Sequence, residues 1–234
     1  MDVSTISDID KYLLLSLNGS ESLFWDGCMK VYTSMLIWLP LALMLVYVLV
    51  KNNNMKDFLL LLLMVVAVVG LTDIISSGIC KPSFERWRPT RDPVLMYMID
   101  IVSGTRGKDF GFTSSHAANS FGIAMFVILL IKNRILTISL LLWASMNAFT
   151  RIYLGVHYPG DIVAGTIIGV TVGVLMYALY RFIKKRQGRG NTRDWISEKY
   201  TKSGYLISDV YLLLLTMYAT FALIPVISFL TFAV

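Results

Sequence analysis

The chain has 234 residues, of which 56% are hydrophobic and 15% are charged, with a net charge of +6 and a mean hydropathy of +0.66. Soluble domains carry about 25% charged residues, so this composition excludes an ordinary soluble protein and, with several long apolar runs, indicates a polytopic helical membrane protein. Much of the positive charge lies beside those runs, where it favours orientation in a membrane over binding of nucleic acid.

The first predicted element is an interfacial helix at residues 4–17, which has apolar side chains at helical spacing and is too short to span a bilayer. Six predicted spans follow, at residues 31–50, 58–80, 114–131, 135–150, 161–183 and 205–232. The expected fold is therefore all-α: a polytopic membrane bundle of six transmembrane helices with an N-terminal interfacial helix. The expected organisation is a lead-in (1–30), a membrane core of five spans (31–183), a basic cytoplasmic connector (184–204) and a C-terminal span (205–234).

The loops predict an orientation. Ten of the 21 Lys and Arg residues fall on one side of the bundle: Lys51, Lys56, Lys132, Arg134, Arg181, Lys184, Lys185, Arg186, Arg189 and Arg193. By the positive-inside rule this side is cytoplasmic, and the loops at 81–113 and 151–160 lie outside together with both termini. Cys28 and Cys80 fall near the same side, which leaves open one disulfide or two free thiols.

The first outer motif is Lys81-Pro-Ser-Phe-Glu-Arg-Trp-Arg88-Pro89. Two cations seven residues apart, flanked by prolines, form an anion clamp, because Arg88 grips phosphate in a bidentate manner and Lys81 supplies a mobile point charge. The alternative interpretation is contact with lipid headgroups at the membrane surface.

The second motif is Thr113-Ser114-Ser115-His116, which opens a predicted helix. Free amides at a helix N-terminus attract phosphate oxygens, so Ser114 is predicted either to cap the helix or to bind an anion. His116 is a candidate proton donor, and the alternative is a histidine without a role in the chemistry.

The third motif places Arg151, His157 and Asp161 within eleven residues, in a chain with only two histidines. Pro159-Gly160 breaks the preceding helix and puts Asp161 in the first turn of the next span. From there Asp161 can accept the Nδ1 proton of His157 and leave Nε2 basic, as a nucleophilic histidine requires. The alternative is that Asp161 only caps the helix and Arg151 only anchors it.

The predicted topology brings all three motifs to the outer face. In order and spacing they resemble the signature motifs of the type 2 phosphatidic acid phosphatase superfamily, over residues 55–183. The resemblance implies that His157 attacks phosphorus, Asp161 orients it and His116 protonates the leaving oxygen. It also implies a set of phosphate-binding residues: Lys81, Arg88, Arg151, Ser114 and the neighbouring amides. No metal or other cofactor is implied.

The second motif departs from the family pattern Pro-Ser-Gly-His at two positions. Thr113 replaces the proline and Ser115 replaces the glycine. Losing the glycine removes easy access to positive φ and adds a side chain beside the phosphate. The amide of residue 115 is thus a less certain ligand, and the Ser115 hydroxyl is a candidate to compensate.

Among the remaining polar residues, Asp73 either pairs with a site cation or makes an interhelical hydrogen bond. Arg86 could guide an anionic headgroup, although solvation at the surface is the default expectation. Gly165, Gly169 and Gly173 recur every four residues on the fifth span, which predicts close helix packing.

The expected function is a metal-independent phosphatase in a bacterial inner membrane, hydrolysing a phosphate or diphosphate on a lipid at the outer face. Lipid A phosphate and undecaprenyl diphosphate are the leading candidate substrates, followed by phosphatidylglycerophosphate and phosphatidate. A phosphotransferase with the same intermediate is one alternative, and a lipid transporter or binding protein that uses only the cations is another. The expected partners are the lipid substrate and the bilayer, without nucleic acid.

Overall fold

The computed structural model describes residues 3–188 and 198–232, and within these ranges the regular structure is helical. The α-helices are α1 Val3–Leu17, α2 Leu23–Thr33, α3 Leu39–Asn52, α4 Met55–Asp73, α5 Lys81–Phe84, α6 Ser115–Ile131, α7 Arg134–Tyr153, α8 Pro159–Arg186 and α9 Ile207–Phe232. A π-helical segment, Ile74–Cys80, joins α4 to α5. Short 3-10 turns occupy Leu36–Trp38, Pro89–Arg91, Leu95–Tyr97 and Val102–Gly104. The predicted all-α class is confirmed.

Polar residues in the short turns fix where the helices begin. The side chain of Asn54 accepts a hydrogen bond from the Asp57 amide and caps α4, and Asn133 accepts from the Leu136 amide and caps α7. These caps satisfy amides that the first helical turn leaves without partners. The polar turns predicted from sequence at 51–57 and 132–134 therefore mark the helix boundaries well.

The predicted count of six spans is not confirmed. Within the described residues, four helices are long and apolar enough to cross a bilayer: Met55–Phe84, Arg134–Tyr153, Pro159–Arg186 and Ile207–Phe232. The α2 and α3 segments qualify only as a pair bent by 64°. Helix α6 has 17 residues, about 26 Å at 1.5 Å per residue, which is short for a hydrocarbon layer of roughly 30 Å.

The predicted first span, residues 31–50, is wrong as a single helix. Helix α2 ends at Thr33, Ser34 is extended (φ −69°, ψ 133°), and α3 begins again with Pro40 in its first turn. Proline lacks an amide hydrogen and its ring clashes with the carbonyl of the preceding turn, so it is accommodated at a helix start and breaks a helix interior. Pro40 was inside the predicted span and explains the break.

Helix α6 lies at the centre of the bundle, against α8, α7 and α4. Its closest approach is to α8, where the backbones meet without intervening side chains. A Cβ added at Gly165 would lie 2.5 Å from the Ser114 carbonyl oxygen, one at Gly173 would lie 2.6 Å from the Gly122 carbonyl oxygen, and one at Gly169 would press still closer on the Ala118 carbonyl. The glycine repeat therefore positions the start of α6 against the start of α8, as the spacing predicts.

We expect Gly169→Ala to destabilise the protein, because the added methyl group meets backbone that cannot rotate away. Overpacking of this kind costs about 1–3 kcal/mol, which exceeds the gain of roughly 1 kcal/mol in helix propensity. Thermal unfolding in detergent measures the effect. Gly70→Ala in α4 is the matched control, since no heavy atom lies within 4 Å of its added Cβ. Equal unfolding temperatures for the two variants would contradict the close packing.

The two ends of the bundle differ in charge and role. At one end Lys51 pairs with Asp209 at 2.7 Å and Lys184 with Asp57 at 3.1 Å, tying α3 to α9 and α8 to α4. At the other end lie the end of α5, the starts of α6 and α8 and the end of α7. Of the predicted cytoplasmic cations, Arg189 and Arg193 lie outside the described residues. Cys28 and Cys80 are free thiols.

Candidate active site

The predicted site residues gather at the end of the bundle opposite those ion pairs. His157 lies in the loop between α7 and α8, and its side chain is 2% exposed. The charges of Arg88, Arg151 and Lys81 are all near enough to interact with the ring. The topology predicted from sequence therefore does bring the three motifs together.

The hydrogen bonds of His157 fix its tautomer. Arg88 Nη1 lies 3.0 Å from His157 Nε2, and because a guanidinium has only donors, Nε2 must accept. The ring proton is then on Nδ1, which faces Asp161 Oδ2 at 3.3 Å. The nitrogen with the free electron pair thus faces the cations, while its opposite nitrogen donates to the carboxylate.

Burial, reinforced by the charges of Arg88 and Arg151, holds the pKa of His157 well below its usual value. The imidazole is therefore neutral at physiological pH. Neutrality keeps the Nε2 electron pair available for attack on an electrophile.

Asp161 occupies the first turn of α8 and is fully buried. Its Oδ2 accepts from the Tyr158 amide at 3.0 Å, as part of a capping box, in addition to facing His157. Its Oδ1 accepts from Arg86 Nη1 at 2.9 Å. The Asp161 side chain thus caps the helix and also lies within reach of His157 Nδ1, so the cap leaves the contact with the histidine in place.

Arg88 is held by an extended segment of the loop between α5 and α6. An isolated antiparallel bridge pairs Trp87 with Phe110, and Arg88 donates from Nε to the Phe110 carbonyl at 3.1 Å and from Nη1 to the Val156 carbonyl at 3.1 Å. Burial lowers the pKa of Arg88, and the charge of Asp161 opposes this effect. Because guanidinium groups stay protonated in proteins, a fixed cation lies beside His157.

Lys81 reaches the site through a hydroxyl network. Its Nζ donates to Ser77 Oγ at 2.8 Å and to Ser115 Oγ at 2.7 Å. Ser77 lies one turn earlier, in the π-helical segment, and its hydroxyl also bonds Asp73 at 3.0 Å. Asp73 therefore reaches Lys81 only through the Ser77 hydroxyl. Neither the direct pair with a site cation nor the interhelical hydrogen bond expected for Asp73 occurs among the described residues. The Ser115 hydroxyl contacts Lys81, so the residue that departs from the family pattern is part of the site.

Ser114 is fully buried and is the N-cap of α6: its Oγ accepts from the Ala117 amide at 3.4 Å. Its own amide donates to the Asp161 carbonyl at 3.1 Å. The structure thus uses Ser114 as a cap and as a tie between α6 and α8. The first helical turn leaves the amides of Ser115 and His116 without intrahelical partners. Amides in this position, at the positive end of the helix dipole, can bind phosphate oxygens.

Arg151 lies in the last turn of α7 and is 8% exposed. Its Nη1 donates to Thr33 Oγ1 at 2.8 Å, whereas its buried Nε has no hydrogen-bond partner in the described part of the chain. A buried donor without a partner is costly, so a ligand oxygen at this position would stabilise the site.

His116 is the second residue of α6 and is exposed at the helix start. Arg151, His157, Arg88 and Lys81 all lie near enough for their charges to act on it. It therefore borders the same cation-lined site as His157, on the solvent side.

Sequence reasoning missed the contacts of Arg86 and Asp10. Arg86 bridges two carboxylates, Asp161 and Asp10, with Nη2 donating to Asp10 Oδ2 at 2.6 Å. It also lies over the Tyr158 ring at 4.0 Å, within cation–π range. Burial acts to lower the pKa of Arg86, but Asp161 and Asp10 outweigh burial and raise it. The default expectation of surface solvation for Arg86 is wrong; its spacing of two from Arg88 in an extended segment was the available signal.

The chain is similar in sequence to known proteins. Residues 57–185 match the PAP2 superfamily. The lipid A 4′-phosphatase of Bacteroides thetaiotaomicron is 43% identical over 176 residues, covering 75% of this chain and 78% of the relative. The lipid A 4′-phosphatase of Porphyromonas gingivalis is 29% identical over 181 residues, covering 77% of each.

A solved structure shares the fold. The crystal structure of a transmembrane PAP2-type phosphatidylglycerolphosphate phosphatase from Bacillus subtilis aligns with a TM-score of 0.57, covering 78% of this chain and 87% of that chain. The two sequences are 19% identical. The similarity therefore supports the helical architecture described above.

Proposed function

The chain belongs to the PAP2 superfamily, and from that premise we propose that it is a lipid A phosphatase that removes the 4′-phosphate. The coarser statement, a membrane phosphatase acting on lipids, follows from the family and the apolar helices. The finer one rests on the two relatives named lipid A 4′-phosphatase, which align over three quarters of this chain. The sequence alone favoured lipid A phosphate and undecaprenyl diphosphate together, and these two relatives favour lipid A.

The observation that carries the proposed mechanism is the orientation of His157. Its basic Nε2 faces Arg88 at 3.0 Å and its Nδ1 faces Asp161 at 3.3 Å. A transporter or binding protein needs cations for a phosphate but has no need for a buried, oriented, neutral imidazole between them. The geometry thus favours covalent catalysis over mere binding.

In the first step, the Nε2 electron pair of His157 attacks phosphorus and the bond from phosphorus to the lipid oxygen breaks. The anionic phosphate offsets the cations around His116 and so favours its protonated form. His116 then gives its proton to that oxygen, which leaves as the lipid hydroxyl. Asp161 stabilises the cationic phosphoimidazole through Nδ1–H. Arg88, Arg151 and Lys81 stabilise the charge on the phosphoryl oxygens, with the amides at the start of α6. The incoming phosphoryl oxygen takes over the hydrogen bond that Arg88 makes to Nε2 in the free site.

In the second step, a water oxygen attacks phosphorus and the bond to Nε2 breaks. The water proton goes to His116, which restores its protonated form, and phosphate leaves with His157 neutral again. Because the same histidine serves as acid and then as base, its position on the solvent side of the site suits both roles. A phosphotransferase would differ only in the nucleophile of this second step.

We propose that the site faces the periplasm from the inner membrane. The support is the charge distribution: the cytoplasmic side inferred from the positive-inside rule carries Lys51, Lys132, Arg134 and the basic end of α8, opposite to the site. A lipid phosphate could then reach the cations with its acyl chains still in the outer leaflet.

We expect the purified protein, in detergent with EDTA, to release one phosphate from lipid A that carries both the 1- and the 4′-phosphate. Mass spectrometry with fragmentation identifies which phosphate is lost. Undecaprenyl diphosphate, phosphatidylglycerophosphate and phosphatidate are the comparison substrates at equal concentration. Faster turnover of any of them, or loss of the 1-phosphate, would overturn the assignment of substrate. A phosphorylated product other than free phosphate in the presence of candidate acceptors would identify a transferase.

A further inference from the structure

The N-terminal helix α1 precedes the segment that matches the family, residues 57–185, yet it contacts the catalytic loops. Asp10 and Leu14, which are spaced by four on one helical face, make these contacts together with Asn18, which directly follows the helix. The opposite face exposes Tyr12 and Leu13. One face of an amphipathic helix thus lies against the active site, while the other remains free.

Asp10 is 8% exposed and uses both of its carboxylate oxygens. Oδ2 accepts from Arg86 Nη2 at 2.6 Å, and Oδ1 accepts from the Gly160 amide at 2.7 Å. Arg86 donates its other terminal nitrogen to Asp161, and Gly160 directly precedes Asp161 in the first turn of α8. Both oxygens of Asp10 therefore act on groups that fix the position of Asp161.

Leu14 and Asn18 dock the helix independently of Asp10. Leu14 is fully buried in a cluster with Leu95, Ile99, Ile152 and Tyr158. Asn18 donates to the carbonyls of Asp100 and Tyr153 at 3.0 and 2.9 Å, and accepts from the Asp100 amide at 2.7 Å. The contacts of Asp10 are thus separable by mutation from the contacts that attach α1.

We propose that Asp10 is a positioning residue for the His157–Asp161 pair, acting through Arg86 and the Gly160 amide, and that α1 is thereby an integral part of the active site. The inference rests on the proposed phosphatase function. Asp161 contacts His157 at 3.3 Å, a long distance for a charge-assisted hydrogen bond. Small movements of the carboxylate therefore decide how well it orients the imidazole.

The two contacts of Asp10 restrain Asp161 in different ways. Pairing with Asp10 keeps the half-buried Arg86 side chain between two carboxylates. If the Asp10 carboxylate is removed, the guanidinium is free to turn toward water. The bond to Gly160 satisfies an amide at the start of α8 that has no intrahelical partner. In Asp10→Asn, the side-chain oxygen can still accept from the Gly160 amide. The NH2 group, which is a donor, then takes the place of the oxygen that accepts from Arg86. Alanine removes both contacts.

We expect Asp10→Asn to lower kcat by about tenfold and Asp10→Ala by about a hundredfold, the range found for groups that orient a reacting side chain. KM should stay unchanged, because neither variant touches the phosphate-binding cations. Asp8→Asn is the matched control: it removes the same charge from the same helix at an exposed position and should keep full activity. Leu14→Ala, which weakens docking without touching Arg86, should lower the unfolding temperature.

The variant Arg86→Gln tests the route. If Asp10 acts through Arg86, adding Asp10→Asn to Arg86→Gln causes little further loss of kcat, in place of the product of the two single effects. Initial rates on lipid A and melting temperatures in the same detergent are measured for all variants. The inference is overturned if Asp10→Ala has the kcat and KM of the wild type. It is also overturned if Asp10→Ala and Leu14→Ala lose the same activity and the same stability, because Asp10 would then only attach α1. A wild-type protein that releases phosphate from no lipid phosphate overturns the proposed function instead.

Discussion

Replacing His157 with asparagine is expected to abolish phosphate release, with a loss in kcat on the order of 10⁴-fold or more, as when a covalent nucleophile is removed from a hydrolase. Asparagine has no basic nitrogen to attack phosphorus, although it keeps a polar group near Arg88 and Asp161. The cations remain, so lipid phosphate should still bind. Rates of phosphate release and the binding of a non-hydrolysable phosphonate lipid together separate loss of chemistry from loss of binding.

His116→Asn is the informative companion, because it should impair only proton transfer. With a lipid alcohol as leaving group the loss should be about 10²–10⁴-fold, the usual contribution of general acid catalysis. With an acidic phenol as leaving group, phosphorylation of His157 should recover, because that group leaves without a proton. Brief incubation with ³²P-labelled 4-nitrophenyl phosphate, followed by alkaline denaturation, should then trap acid-labile label on His116→Asn and none on His157→Asn. Label on His157→Asn would refute the assignment of the nucleophile.

The membrane helices could be predicted from sequence because their signal is local. An apolar run bounded by polar turns specifies a helix and its ends, and the structure extends the predicted 135–150 and 161–183 by only a few residues, to Arg134–Tyr153 and Pro159–Arg186. The error at 31–50 arose where hydropathy and backbone geometry disagree. Apolar character continues through this region, but Pro40 fits at a helix start and not in a helix interior, so a new helix begins there.

The site could be predicted in part for a similar reason. Lys81, Arg88, Arg151, His157 and Asp161 follow a recognisable spacing, and the order of spans puts them on one face. Asp10 follows no such pattern, because its contacts form only when α1 docks against a loop 76 residues away in the sequence. A carboxylate on an amphipathic helix is usually solvated, and only the tertiary contacts distinguish Asp10 from its exposed neighbour Asp8. Ser114 differs from Asp10 in this respect: its motif predicts a cap or a ligand from local sequence alone, and in the structure its buried hydroxyl accepts from the Ala117 amide as a cap.

Arg88→Lys should reduce kcat/KM by about 10³-fold, even though the charge is kept. Arg88 makes hydrogen bonds from two nitrogens to the Phe110 and Val156 carbonyls and to His157 Nε2. These contacts hold a planar cation in one orientation beside the nucleophile. A lysine has one nitrogen and a flexible stem, so it cannot satisfy both carbonyls and also present a fixed charge to the phosphoryl oxygens. An arginine placed at a transferring phosphoryl group contributes a factor of about 10³–10⁵.

Arg91→Lys is the control for this substitution. Arg91 lies on the same loop, with its side chain 42% exposed, a 3.9 Å contact to Asp109 and a 3.4 Å hydrogen bond to the Gly107 carbonyl, and exposed contacts of this kind contribute little. We therefore expect its kcat/KM to stay within about twofold of wild type. Because charge is conserved in both variants, a general electrostatic attraction of the anionic substrate predicts no loss in either. A large loss confined to Arg88→Lys, with kcat reduced and lipid binding retained, would show that the orientation of the guanidinium beside His157, and not its charge alone, lowers the barrier. Equal activities would mean that Arg88 attracts the substrate without taking part in phosphoryl transfer.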